Sequence, residues 1–438
     1  MISGMTASAK VSATAAYKVL ALLTLVYLIQ AIDRQVVSVV IEPIRYEFNA
    51  SDKVLGLVGG LGYAVMFALA ALPLGRLIDR LNRVHLLAWI LAIWSGMTTL
   101  SGFATSLSFL LVGRMGVGAA EAGAAPSVMS LLADVFEPRR RSFAIGVCYV
   151  SNAAGIAVSF LIGTLVANAY GWRAAFWIAG LPGLFMAILL PVLLHEPLRG
   201  ASEDDSSAST TRDSIPSFKN VLTEIARNRV LLNLVIAMSL AALVFQSLWS
   251  WSTSILIRYH HLGLSVAGRI IAFAAIFQAA GSWAGGFAAG RLAKRSAASY
   301  GLVAGGCALL TVPFGIGFAL ATTNAMAIFC ICAMTFFNAG WAGPGYGLAV
   351  TIVPPRMRGV VASFILLSTT LVSTGIGPVF TGGISDALSG NLRTAVAVTF
   401  CINVWAALHF SLAARSARGI LEKSSDSPIA TNTRSALH

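Results

Sequence analysis

Twelve long apolar runs divide this sequence, and each has the length that one membrane-spanning helix requires. A helix needs about 20 consecutive, mainly apolar residues to cross the hydrocarbon core of a bilayer. The runs fall into a group of six, a polar gap and a second group of six. The sequence therefore predicts an all-α membrane protein with two six-helix bundles, and it excludes a soluble globular enzyme. The predicted spans are 18–41, 54–77, 84–104, 107–131, 142–166, 172–194, 231–256, 266–290, 298–319, 325–350, 358–384 and 394–414.

The composition is also that of a membrane protein. Hydrophobic residues make up 57% of the chain and charged residues only 11%, against about 25% charged residues in a soluble domain. A net charge of +13 would suggest a nucleic-acid partner for a soluble protein. In a membrane protein, an excess of Lys and Arg in the cytoplasmic loops explains this charge. We therefore expect no nucleic-acid partner.

The polar segments define the predicted domains and the orientation. The predicted parts are an N-terminal tail (1–17), a first bundle (18–194), a linker (195–230), a second bundle (231–414) and a C-terminal tail (415–438). With both termini in the cytoplasm, 22 of the 30 Lys and Arg residues lie on the cytoplasmic side and 6 lie in external loops. Cytoplasmic loops carry the positive excess, so we expect a multi-pass protein with both termini in the cytoplasm.

A weak internal repeat relates the two halves. The loop after span 2 reads GRLIDRL from Gly75, and the loop after span 8 reads GFAAGRL from Gly286. The segment before span 5 reads PRRR from Pro138, and the one before span 11 reads PRMR from Pro355. Loops at corresponding positions in the two groups of six spans thus carry similar residues. This similarity favours two homologous bundles of the kind found in transporters.

The first of these loops resembles the signature of the major facilitator superfamily, G-x-L-a-D-R-x-x-R, between helices 2 and 3. The matching residues are Gly75, Leu77, Asp79, Arg80 and Arg83. The resemblance implies a transporter that works by alternating access. We predict a conformational latch, formed by Gly75, Asp79, Arg80 and Arg83, in which Asp79 pairs with basic residues or a helix N-terminus. The second copy has Gly290 in place of the Asp, so we expect a latch in the first half only.

Three further stretches resemble the Spinster-like branch of that superfamily. They are IDRQ at 32–35, RMGVGAAEA at 114–122 and HEPLRG at 195–200. In the second stretch, Ala120 stands where the branch has Gly. The resemblance is best over residues 20–200 and thin over the second half. It implies a secondary transporter of the bacterial inner membrane, in a family whose eukaryotic members are linked to sphingolipid and lysolipid export.

Four charged residues lie inside predicted spans and away from the span ends: Asp33 and Arg34 in span 1, and Arg114 and Glu121 in span 4. An ionised side chain near the bilayer centre costs about 2.5–3.5 kcal/mol. Arg114 and Glu121 lie two helical turns apart and therefore share one helix face. We predict a mutually paired cluster in a polar cavity. Glu121 and Asp33 are the predicted proton-coupling residues, and Arg34 and Arg114 are predicted to bind an anionic group of the substrate. A purely structural ion-pair network is the alternative.

The central parts of the spans in the second half carry uncharged polar and aromatic residues. Gln246, Trp249, Gln278, Asn338 and Trp341 are the predicted substrate-binding residues there. One charged wall and one apolar, aromatic wall would suit an amphipathic molecule with an acidic or zwitterionic head. The alternatives are an interfacial or packing role for each Trp and a helix–helix hydrogen bond for each amide.

These features predict a secondary active transporter rather than an enzyme, a channel or a sensor. The sequence has no GxxxxGK[ST] phosphate loop, so ATP is not expected to drive it, and no HExxH or GxSxG site. We predict proton-coupled transport of a lysolipid- or sphingolipid-type molecule, with a small organic anion, such as an aromatic or sugar acid, as the alternative substrate. The expected partners are the substrate, protons and the bilayer. We expect no cofactor or metal, and a monomer.

Overall fold

The computed structural model describes residues 13–197, 218–294, 296–354 and 357–425, and these residues are almost entirely helical. They pack into two compact units. The first contains the described residues through 197 together with Trp249–Ala275, and the second contains 218–248 and 276–425. The predictions for residues 1–12, for the centre of the linker and for the last 13 residues lie outside the described residues.

Eighteen α-helices are described. Those in the first half of the chain are α1 (Ala13–Val39), α2 (Ile41–Phe48), α3 (Asp52–Gly56), α4 (Gly62–Arg80), α5 (Arg83–Ser101), α6 (Leu107–Glu121), α7 (Ala124–Val135), α8 (Pro138–Tyr170) and α9 (Trp172–Leu193). Those in the second half are α10 (Phe218–Arg227), α11 (Arg229–His260), α12 (Leu264–Ala293), α13 (Ala298–Leu320), α14 (Asn324–Ala339), α15 (Ala342–Ile352), α16 (Arg358–Thr370), α17 (Gly377–Ala387) and α18 (Leu392–Ser425).

Eleven helical segments among the described residues are long and apolar enough to cross a membrane. They correspond in order to eleven of the twelve predicted spans. The fourth predicted span consists of two shorter helices, α6 with 15 residues and α7 with 12, separated only by Ala122 and Gly123. The all-α membrane fold is confirmed, and the structure is consistent with twelve spans.

The contact-defined units do not follow the predicted bundle boundaries throughout. The last part of α11 and the first part of α12, Trp249–Ala275, belong to the first unit, although they lie in the predicted second bundle. Within the predicted linker, α10 buries Ile225 in the core of the second unit. The boundaries 18–194 and 231–414 remain predictions.

Glycines allow close helix crossings in both units. A Cβ atom on Gly118 of α6 would lie 2.2 Å from the carbonyl oxygen of Tyr63 in α4, so no larger residue fits without moving a helix. In the second unit, a Cβ on Gly281 of α12 would lie 1.9 Å from the carbonyl oxygen of Phe336 in α14. Each crossing brings polar residues of two helices together.

Irregular backbone accompanies these crossings. A π-helical segment, Leu57–Leu61, joins α3 to α4, and another, Leu371–Ile376, joins α16 to α17. The α6–α7 break follows Glu121 directly, and the α14–α15 break lies at 340–341. π-Helical insertions occur frequently at functional sites, and these four irregularities flank the polar residues described below.

Candidate functional site

The four intramembrane charged residues come together in the first unit, where we call them the charge cluster. Asp33 and Arg34 come from α1, and Arg114 and Glu121 from α6. Asp33, Arg114 and Glu121 are 0%, 2% and 1% exposed, and the side chain of Arg34 is 31% exposed. The sequence therefore identified a buried polar site correctly, although the functional roles of its residues remain predictions.

Glu121 accepts hydrogen bonds from three side chains at a single oxygen. Arg34 donates to its Oε2 from Nη2 at 2.6 Å and from Nε at 3.2 Å. The hydroxyl of Tyr63 donates to the same oxygen at 2.7 Å, and Gln30 donates from Nε2 at 3.2 Å. The other oxygen, Oε1, is buried and accepts no hydrogen bond from the described residues. One carboxylate oxygen is thus held by three side chains, and the other has no hydrogen bond from the described residues.

Asp33 and Arg114 are buried but less well paired. Ser95 donates to Asp33 Oδ2 at 3.3 Å, while Asp33 Oδ1 has no hydrogen-bond partner among the described residues. Arg114 donates to the backbone carbonyl oxygen of Asp33 at 3.5 Å, and it forms no ion pair within the described part of the chain. The predicted pairing is therefore a direct ion pair for Arg34 and Glu121. Arg114 and Asp33 lie in the same cluster and are joined only through the Asp33 backbone. The anion-binding role of Arg114 stays a prediction.

Gln30 and Tyr63 were missed by the sequence analysis. Gln30 precedes Arg34 by four residues, which places both on one face of α1, and this spacing could have indicated it. Tyr63 carries no comparable signal, because a tyrosine in an apolar span is ordinary and its contact with Glu121 depends on the helix crossing at Gly118. Arg34 Nη2 also donates to the Tyr63 hydroxyl at 2.7 Å, so Tyr63 links the arginine to the carboxylate.

The predicted latch divides into a buried and an exposed part. Arg83 is buried and forms ion pairs with Asp134 and, at 2.6 Å, with Glu196. The second carboxylate oxygen of Glu196 accepts from the backbone N–H of Val84 at 3.1 Å, which caps α5. Two of the stretches that carry the family resemblance therefore meet at Arg83 and Glu196. The sequence analysis predicted neither Asp134 nor Glu196 as a latch partner.

The other latch residues lie at the end of α4. Gly75 is half-buried, and Asp79 and Arg80 are exposed. A Cβ atom on Gly75 would meet no atom within 4 Å, so packing within the structure does not explain a glycine there. The latch role of Gly75, Asp79, Arg80 and Arg83 stays a prediction.

A second ionic cluster in the first unit was not predicted. Arg258, near the end of α11, lies 2.7 Å from both Asp52 and Glu42 through its Nη2, and both carboxylates are buried. Arg45 approaches the same two residues at 3.8 and 3.9 Å. No local sequence pattern links these residues, because more than 200 residues separate Arg258 from its partners.

The second unit contains a cavity of about 230 Å³, which we call the neutral cavity. No charged residue lines it. Three of the predicted residues, Gln278, Asn338 and Trp341, do so together with Ser282 and Thr369. Phe245, Trp341 and three alanines supply the apolar and aromatic part of the lining, and amide and hydroxyl side chains from α12, α14 and α16 lie beside them.

The remaining two predicted residues lie elsewhere. Trp249 belongs to the first unit, is fully buried and packs its ring against that of Phe160 at 5.9 Å. Gln246 is half-buried in α11 and does not line the neutral cavity. For Trp249 the structure favours the packing alternative.

Membrane-spanning helices in two units, with charged residues buried among them, define a polytopic membrane transporter. Residues 23–378 match the family model described as Major Facilitator Superfamily. The chain belongs to this superfamily and is similar to Spinster proteins, so the predicted recognition and the expectation of a transporter rather than an enzyme are confirmed.

Curated relatives and solved structures agree with this assignment. An MFS-type efflux pump of Mycolicibacterium smegmatis is 26% identical, with 86% of each chain covered. Protein spinster of Drosophila melanogaster is 25% identical over 85% of this chain and 62% of its own length. A probable L-galactonate transporter of Escherichia coli K12 is 26% identical over 87% of this chain and 85% of its own. The crystal structure of a bacterial homolog of the human lysosomal transporter Spinster, inward-facing and unoccupied, superposes with a TM-score of 0.84 at 27% identity, covering 93% of this chain and 99% of the other.

Proposed function

We propose that this protein is a proton-coupled secondary active transporter whose substrate carries an acidic or zwitterionic group. The observation that carries the proposal is the charge cluster, because buried ionisable residues in membrane-spanning helices mark ion and substrate pathways. Glu121 binds and releases the proton, and Asp33 is the second proton-binding candidate. Arg34 holds Glu121 in place, and Arg114, which lacks an ion pair among the described residues, binds the anionic group of the substrate.

The preferred substrate is an amphipathic, lipid-like molecule of the lysolipid or sphingolipid type. A zebrafish relative named sphingosine-1-phosphate transporter SPNS2 is 28% identical over 42% of this chain, and the charge cluster lies in the sequence stretches 32–35 and 114–122 that resemble the Spinster-like branch. An arginine suits a phosphate or carboxylate head because its guanidinium presents several donors in a fixed plane.

A small organic anion is the second candidate. The neutral cavity favours it, since amide and hydroxyl groups match a hydroxylated acid better than an acyl chain. The relative named as a probable L-galactonate transporter, which is covered over most of its length, supports the same candidate.

We further propose that the protein lies in the inner membrane of a bacterium as a monomer, with both termini in the cytoplasm. The excess of Lys and Arg in the corresponding loops supports the orientation.

A thermal-shift panel distinguishes the two substrates. The detergent-purified protein is heated at two pH values with lysolipids and sphingoid amphiphiles, and separately with aromatic and sugar acids. A ligand at 100 times its dissociation constant stabilises a protein by about 2.7 kcal/mol, which is measurable. A shift only with the amphiphiles supports the lipid substrate, and a shift only with the acids supports the organic anion.

Replacement of Glu121 by Gln tests the coupling. Glutamine keeps the shape and an acceptor for Arg34 and Tyr63, but it cannot carry a proton. In liposomes with an imposed pH gradient, we expect Glu121→Gln to lose accumulation of the ligand found in the panel and to keep exchange of that ligand across the membrane. Glu47→Gln, outside the charge cluster, is the control and should keep both. Gradient-driven accumulation by Glu121→Gln at the wild-type level would refute the coupling.

Replacement of Arg114 by Ala tests the anion site. Hydrogen bonds to charged groups contribute about 1.5–3 kcal/mol, so we expect binding of the anionic ligand to weaken by at least about tenfold. An uncharged amide or ester analogue of the same ligand should change by less than about twofold. Equal weakening of both ligands would mean that Arg114 has a structural role.

A further inference from the structure

We propose that the neutral cavity binds an uncharged, hydroxylated part of the substrate, and that Asn338 is its central contact. The inference rests on the proposed transport function and deepens it, because it specifies the chemistry of the substrate outside its anionic group. The cavity lies between α12, α14 and α16 and includes Ser373 of the π-helical segment that follows α16.

Three side chains that line the cavity carry buried polar atoms without a partner among the described residues. Asn338 is 0% exposed, and both its amide nitrogen and its amide oxygen are unpaired. Gln278 Oε1 and the indole N–H of Trp341 are unpaired as well. A buried polar group without a hydrogen bond costs about 1–3 kcal/mol, so such groups rarely remain unpaired. The cavity thus offers two donors and two acceptors to a ligand.

The charge and polarity of the lining limit what can bind. No Asp, Glu, Lys, Arg or His lines the cavity, and an ion buried there without a counter-ion would be strongly disfavoured. A plain hydrocarbon chain would leave all four polar atoms unpaired. A hydroxyl group both donates and accepts, so two neighbouring hydroxyls, as in a polyol, satisfy both kinds of atom.

The size of the cavity indicates that it holds one part of a molecule. Pockets that enclose a drug-sized ligand measure about 300–1,000 Å³, and this cavity measures about 230 Å³. A sugar-acid chain and the glycerol head of a lysolipid both have the required hydroxyls and a comparable size. The shared chemistry is therefore a short polyhydroxylated segment.

Internal symmetry connects Asn338 with Glu121. Glu121 lies 15 residues after Ser106, whose side chain caps α6, and Asn338 lies 15 residues after Thr323, whose side chain caps α14. Both helices end at or one residue after these positions. Asn338 thus occupies, in the second half, the position that Glu121 occupies in the first. An amide there keeps hydrogen-bonding capacity without a titratable proton, which suits contact with a ligand rather than coupling.

Two pairs of ligands test the proposal with the purified full-length protein. Gluconate and hexanoate are six-carbon monocarboxylates that differ in their hydroxyls. Lauroyl lysophosphatidylglycerol and dodecyl phosphate are anionic amphiphiles with and without a glycerol head. In at least one pair, we expect the hydroxylated ligand to bind at least about tenfold more tightly, a difference of about 1.4 kcal/mol. The pair that shows the preference identifies the source of the polyol.

Asn338→Leu removes the amide at nearly constant volume. Replacing an unpaired buried amide by an apolar side chain of similar shape should not harm folding. Asn403→Leu is a matched control, because Asn403 in α18 is also 0% exposed and also has both amide atoms unpaired, yet it does not line the cavity. We expect Asn338→Leu to reduce the preference to less than about twofold and Asn403→Leu to keep it.

The outcomes separate this proposal from the proposed function. Equal binding within both pairs by the wild-type protein would overturn the role of the cavity, and so would a preference that survives in Asn338→Leu. If these anions still bind and Arg114→Ala weakens them, the transport proposal stands while the cavity proposal fails. If none of the four anions binds, both proposals fail.

Discussion

The two carboxylate oxygens of Glu121 have different environments. Three donors bind Oε2, while Oε1 is buried without a hydrogen bond among the described residues. The donors come from two helices, Gln30 and Arg34 from α1 and Tyr63 from α4. A movement of α1 relative to α4 would therefore change which donors reach the carboxylate. The proposed coupling role of Glu121 requires such a change between conformations.

Replacement of Tyr63 by Phe should weaken gradient-driven transport. The variant keeps the ring but removes a 2.7 Å hydrogen bond to Glu121 and the hydroxyl that accepts from Arg34. Hydrogen bonds to charged groups contribute about 1.5–3 kcal/mol, so we expect the initial rate of accumulation in liposomes with an imposed pH gradient to fall by about tenfold. Tyr300→Phe, in the second unit, is the control; accumulation by Tyr63→Phe at the wild-type rate would contradict a role of Tyr63 at Glu121.

The charged members of this site could be predicted from the sequence, and the neutral ones could not. Asp33 and Glu121 stand out because a charge in an apolar span is costly. An uncharged Gln or Tyr in an apolar span has a much smaller free-energy cost. Gln30 and Tyr63 therefore do not stand out in the sequence until the helix crossing is known. The partial pairing of Asp33 and Arg114 was also beyond the sequence, because which donor meets which oxygen depends on side-chain positions.

At the level of elements, hydropathy predicted the spans and missed their interruptions. Eleven spans follow from runs of apolar residues, since length and composition are what crossing a membrane requires. The break after Glu121 was not predicted, because Ala122 and Gly123 are as apolar as their neighbours and hydropathy does not report backbone hydrogen bonding. The contacts of Arg258 with Glu42 and Asp52 were missed for a different reason: no local pattern links residues so far apart in sequence.

The ionic cluster around Arg258 should stabilise the fold, and a comparison of two arginines tests this. Arg258 and Arg45 approach the same two carboxylates, but Arg258 is the more buried and closer partner. Removing one partner of a buried pair costs about 3–5 kcal/mol, while exposed pairs contribute about 0–1 kcal/mol. We expect Arg258→Met to lower the thermal unfolding temperature clearly and Arg45→Met to change it little. Equal losses would show that the burial of Arg258 is not what matters.

At the level of the whole molecule, the two halves share an arrangement of helices but differ in the polar residues that these helices carry. The first half places charged residues at its broken fourth span, and the second places an amide at the corresponding position of α14. The repeated loops predicted two similar halves. The proposed difference between their functions became visible only with the neutral cavity, because the second half resembles the family only weakly and has no motif that indicates a cavity.

An even number of spans places both termini on the same side of the membrane. Reporter fusions test this in cells. We expect green fluorescent protein to fluoresce at either terminus, and alkaline phosphatase to be inactive at both and active when fused at Gly171, between the fifth and sixth predicted spans. Opposite results at the two termini would require an odd number of spans and would contradict the twelve-helix arrangement.

The unpaired amide of Asn338 also has a consequence for the abundance of the protein in the cell. An empty site with unpaired buried groups lowers stability, and a bound substrate recovers it, because a ligand that binds only the folded state stabilises that state. Changes of about 1–2 kcal/mol can alter cellular abundance several-fold through chaperones and proteases. The substrate would then act as a stabiliser of its own carrier, and cells grown without it would degrade the protein faster.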